Sequence, residues 1–82
     1  MTTYIIAASF ETAVEFAERS GINDWLFVRD VHVLTKVEQG SNVTTYGNWD
    51  LRSDYMELRR EIIRRNLQVI VGKRLKAPGV GG

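Results

Sequence analysis

Apolar residues along this chain fall into short continuous runs, separated by stretches where they recur every three or four positions. Tyr4-Ile5-Ile6-Ala7-Ala8 is the first run, the mark of a strand covered on both faces. Ser9 follows as an N-cap, its hydroxyl placed to accept from the backbone N–H of Glu11 or Thr12. Phe10, Ala13, Val14 and Ala17 then recur at helical spacing, with Glu11, Glu15 and Glu18 on the wet face. Glu15 and Arg19, four apart in the favourable order, add modest support. Gly21 is placed to end this helix in a left-handed turn. Trp25-Leu26-Phe27-Val28 reads as a second buried strand. Strand, helix and strand in this length make a βαβ unit.

The reading forks between Asp30 and Val37. Val31, Val33 and Val37 alternate with His32, Leu34 and Lys36, which suits a strand. Glu38-Gln39-Gly40-Ser41-Asn42 would then be a hairpin loop, and the fold a ferredoxin-like βαββαβ sandwich. The alternative is a short helix or irregular crossover that turns Val31, Leu34 and Val37 inward. Strand two is complete at Val28, and the strands are apolar runs rather than alternations. Both points favour a small α/β fold, a four-stranded, mainly parallel, Rossmann-like sheet flanked by two helices.

Val43-Thr44-Thr45-Tyr46 is the third strand, ended by Gly47. Asp50 or Ser53 is expected to cap a second long helix running to about Asn66, and Leu67-Gln68-Val69-Ile70-Val71 closes the sheet. In that helix Leu51, Tyr55, Leu58 and Ile62 form one apolar stripe, the expected core face. Met56 and Ile63 fall roughly 100° away. Arg52 and Arg59 lie between the stripes, and Arg60 and Arg64 flank the far side. Two apolar side chains bordered by arginines compose a partner-docking patch, since methionine and arginine are favoured in interfaces. The bland reading is that Met56 and Ile63 reach the sheet edge while the arginines snorkel into water.

Composition narrows the class. Eighty-two residues make one domain, here residues 1–72, followed by a basic, Gly/Pro-containing tail at 73–82 that is expected to be flexible. A chain this short buries roughly 60–65% of its unfolded surface, so a partner or homodimer would help it. The absence of cysteine excludes disulfides and cysteine-ligated metal. With no basic leader and only short apolar runs, a soluble cytoplasmic protein is expected, with no membrane span. The net charge of +1 hides an asymmetry. Residues 1–50 hold seven acids and three bases, a balance of −4; residues 51–82 hold three acids and eight bases, a balance of +5.

Candidate chemistry is sparse. In an open parallel sheet, ligands sit beyond the carboxyl ends of the strands, which here offer Ser9, Asp30, Asn48 and Trp49. Helix N-termini there would favour a small anion or nucleotide. Yet the first turn, Ala-Ser-Phe-Glu-Thr, has neither glycine nor lysine, and no Walker A or dinucleotide-binding pattern is present. Ser9 as a plain cap and Trp49 as a lid over the core are the structural alternatives. His32 is the lone histidine, so no triad or histidine metal cluster is available within one chain. No catalytic residue, metal or cofactor is expected. Arg59, Arg60, Arg64 and Arg65 with Lys73, Arg74 and Lys76 could track phosphates of a nucleic acid, but Asp54, Glu57 and Glu61 share the helix surface.

Val31-His-Val-Leu-Thr-Lys-Val37, Thr45-Tyr-Gly-Asn-Trp-Asp50 and Arg52-Ser-Asp-Tyr55 together resemble a group of small phage-encoded α/β proteins. In those a strand ends in a Gly-Thr-Trp-like turn before a helix opening with Arg and Asp; here Asn48 replaces the threonine, and Thr35-Lys36 an Arg-Gly pair. Most such proteins have no known function. The resemblance implies a Rossmann-like sheet and a non-enzymatic accessory role, acting on a host protein or on itself in the host cytoplasm.

Overall fold

The computed structural model describes residues 2–72. The expected tail at 73–82 lies outside the described residues. Strand β1 (Thr3–Ile6) leads through helix α1 (Phe10–Ser20) to β2 (Trp25–Phe27). A four-residue helix α2 (Val31–Leu34) returns the chain to β3 (Asn42–Tyr46). A 3-10 turn at Trp49–Leu51 and helix α3 (Tyr55–Arg64) then lead to β4 (Gln68–Gly72). The sheet order is β2-β1-β3-β4 and every pairing is parallel. The fork at Asp30–Val37 resolves to the helical crossover, and the ferredoxin-like alternative is excluded.

Strand alternation divides the core into two layers. Tyr4 pairs with Leu26 and Val43, and Ile5 with Phe27 and Thr44, so neighbouring side chains on each strand face opposite ways. On one face Ile5 and Ala7 pack with Ala13, Phe16 and Ala17 of α1 and with Tyr46. On the other, Ile6, Val28 and Val43 meet Leu34 and Val37 from the crossover and Leu58, Ile62 and Leu67 from α3. Leu34 and Val37 are inside, as the crossover reading requires, with Val31 packed against the same cluster.

The cap of α1 is the one expected. Ser9 is extended (φ −150°), and its Oγ accepts from the Thr12 N–H at 3.2 Å. Gly21 ends the helix at φ 69°. Ser9→Ala should cost about 1 kcal/mol in urea denaturation; a loss under about 0.3 kcal/mol would mean that water replaces the cap.

Several boundaries differ from expectation, for physical reasons. Neither Asp50 nor Ser53 caps α3: a 3-10 turn intervenes, and Asp54 holds the N-cap position without a side-chain cap bond. Its carboxylate is held elsewhere, by Arg52. Leu51 consequently leaves the core stripe and stands 77% exposed. The helix stops at Arg64, and Asn66 turns left-handed (φ 54°) so that Leu67 can re-enter the core. Strands two and four are not buried on both sides. They are the two edges of the sheet, and Leu26, Val69, Ile70 and Val71 are exposed there.

Candidate functional site

The carboxyl edge of the sheet gathers the residues that parallel topology would assign to a ligand. The chain leaves β1 and β3, adjacent strands, toward opposite faces, the switch point where α/β ligands bind. Gly47 (φ 65°) brings the β3 turn close to α1: a Cβ at Gly47 would stand 4.0 Å from Thr12 Cγ2. Trp49 lies half-buried against the core cluster of α2 and α3, its ring 4.8 Å from Tyr55, and so serves as the lid. Ser9 spends its hydroxyl on Thr12. Asp30 and Asn48 occupy N-cap positions of four- and three-residue turns and make no side-chain cap bond.

What fills the switch point is Arg52. Its side chain is 9% exposed. Nη1 donates to the carbonyl of Ala7 at 3.0 Å and of Val28 at 2.7 Å, and Nη2 donates to that of Arg29 at 2.6 Å. Nε and Nη2 form a bidentate pair with Asp54, both bonds at 2.9 Å. A guanidinium has five N–H donors, and these five bonds use them all. The carbon at its centre lies 5.6 Å from the Phe27 ring. Arg52 thus ties the ends of β1 and β2 to the start of α3 and keeps no donor for an anion. The expectation that put Arg52 on the partner surface is corrected: its side chain points into the molecule.

Arg65 is a second tie, between α2 and α3. Nε bonds Glu61 at 2.6 Å, and Nη1 donates to the Val37 carbonyl at 2.7 Å. Glu61 is itself buried. Neither arginine is distinguishable in the sequence from the exposed Arg59, Arg60 and Arg64. Burial was the missing signal, and only the topology supplies it.

The remaining members of the helix patch stay on the surface. Met56 is 61% and Ile63 68% exposed. Glu61 and Arg65 mark the flank of α3 that faces the crossover, because Arg65 bonds Val37. Ile63 follows Glu61 by two positions, about 200° around the helix, so Met56 and Ile63 face away from α2. Leu34 and Val37 pack with Ile6 and Val28 at the β1 and β2 ends, so the flank of α3 away from α2 is the one on the β4 side. Val69 and Val71 share the face of the sheet that α3 covers, by their register with Val43 and Thr45. Met56 and Ile63 are exposed on α3 with Arg59, Arg60 and Arg64, and Val69 and Val71 are exposed on β4.

Two open hollows lie elsewhere. One of about 780 Å³ is lined by Thr3, Tyr4, Ser41 and Asn42 at the amino edge of the sheet. Another, of about 460 Å³, lies beside β2 among Tyr4, Phe10, Leu26 and His32. Neither includes Ser9, Asp30, Asn48 or Trp49. Among the described residues, no group of three or more His, Asp or Glu is placed to hold a metal ion, and no helix is long and apolar enough to cross a membrane. No family model, no curated protein and no solved structure matches this chain.

Proposed function

We propose that this domain is a non-catalytic protein–protein interaction module that docks a host protein or a second copy of itself. The docking surface is the outer flank of α3, with Met56 and Ile63 as apolar anchors and Arg59, Arg60 and Arg64 as its rim. The observation that carries the reading is the exposure of two large apolar side chains seven residues apart on one helix, bordered by arginine. Val69 and Val71 of β4 are exposed as well, on the face of the sheet that α3 covers. The resemblance to small phage-encoded proteins supports an accessory role in the cytoplasm of a host cell.

Met56→Asp combined with Ile63→Asp tests this directly. The pair should abolish association, seen as loss of the partner in affinity capture or as a fall in solution mass. The far-UV circular dichroism should stay unchanged, because neither side chain belongs to the core clusters. Unchanged mass and unchanged captured proteins would refute the reading.

A further inference from the structure

We infer that the partner is a second copy of this chain, joined by antiparallel pairing of β4 with β4 across a two-fold axis at Ile70. The inference rests on the docking surface proposed above and specifies its occupant. Among the described residues, strand β4 closes one end of the sheet and has only β3 beside it. Gln68 N–H points toward β3, where it meets the Ser41 carbonyl at 2.9 Å. By strand alternation the N–H and C=O groups of Val69 and Val71 point outward, so the occupant must itself be an extended strand.

Two features favour a second copy. The segment Gln68–Gly72 contains no ionisable side chain, so self-pairing sets no like charges opposite one another. With Ile70 opposite Ile70, Val69 of each copy stands opposite Val71 of the other, and both members of each pair present outward groups. Four inter-strand hydrogen bonds then form, and Ile70 meets its mate as a close, non-hydrogen-bonded pair.

The same axis sets the α3 flanks side by side on one face of a continuous eight-stranded sheet. Met56 and Ile63 are covered there, while the arginines reach past the contact on their long stems. The opposite edge offers less for such pairing, since strand β2 has three residues.

Sedimentation equilibrium of the full chain tests the arrangement, and a concentration-dependent dimer is expected. Val71→Pro removes an outward N–H while sparing the ladder to β3, so it should yield a folded monomer. Ile70→Lys and Ile70→Glu should each be monomeric alone, yet form a one-to-one heterodimer when mixed, because only this register sets residue 70 against residue 70. A wild-type monomer at all concentrations would overturn the inference. If Met56→Asp with Ile63→Asp then still lost a captured host protein, the docking surface would survive with a different occupant. A dimer indifferent to Val71→Pro, or no pairing between the Lys and Glu variants, would also overturn it.

Discussion

Replacing Arg52 with methionine should lower the stability of the domain by about 3–5 kcal/mol, the range for removing one partner of a buried ion pair. Methionine fills much of the same volume, so the loss will be polar in origin. It strips the Ala7, Val28 and Arg29 carbonyls of their guanidinium donor and leaves the Asp54 carboxylate, 21% exposed, without its cation. Arg52→Lys should recover little, since an ammonium offers three donors from one point where the site needs five in a planar fork. Asp54→Asn should be milder, because the amide oxygen still accepts from the guanidinium. Urea denaturation followed by the fluorescence of Trp25 and Trp49 would measure all three. Natural domains hold only about 5–15 kcal/mol in total, so Arg52→Met should be largely unfolded at moderate urea. A loss below about 1 kcal/mol would mean that water replaces the guanidinium, and that the switch point is open to ligands after all.

The βα rhythm was legible because parallel strands are apolar on both sides and stand out as runs. Tyr4–Ala8 and Val43–Tyr46 became the two central strands, β1 and β3. The same cue misled at the edges. Trp25-Leu26-Phe27 and Val69-Ile70-Val71 are as apolar as the central strands, yet each is a margin of the sheet with exposed side chains. An apolar run reports the capacity to be covered, not the presence of a cover. That mismatch at β4 is what suggests a missing neighbour. Helical period placed Met56 and Ile63 outside the core correctly, because a 3.6-residue repeat fixes angles within one helix. Arg52 was illegible for the converse reason. Its partners lie 45 and 24 positions away, on loops whose approach depends on strand order.

Gly72 shows how closely that strand order constrains single positions. It stands opposite Tyr46 in the β3–β4 register, and Phe16 stacks on Tyr46 with ring centroids 4.5 Å apart. A Cβ at position 72 would lie 2.6 Å from Phe16 Cζ, 2.8 Å from its Cε1 and 3.1 Å from the Thr45 carbonyl oxygen. The ring is buried and held by its stack, so it has little room to retreat. Gly72→Ala should therefore cost about 1–3 kcal/mol, as overpacking does. The smaller conformational entropy of alanine in the unfolded chain, worth about 0.4–1 kcal/mol, offsets part of it. Shortening the ring gives the decisive comparison: Phe16→Leu destabilises alone but makes space for the methyl group. The double variant should thus be more stable than the sum of the single losses predicts, by about 0.5 kcal/mol or more. Strict additivity would show that the strand end moves aside instead. Since Gly72 faces inward while Val71 presents its N–H outward, Gly72→Ala should weaken folding, and Val71→Pro should act on association instead.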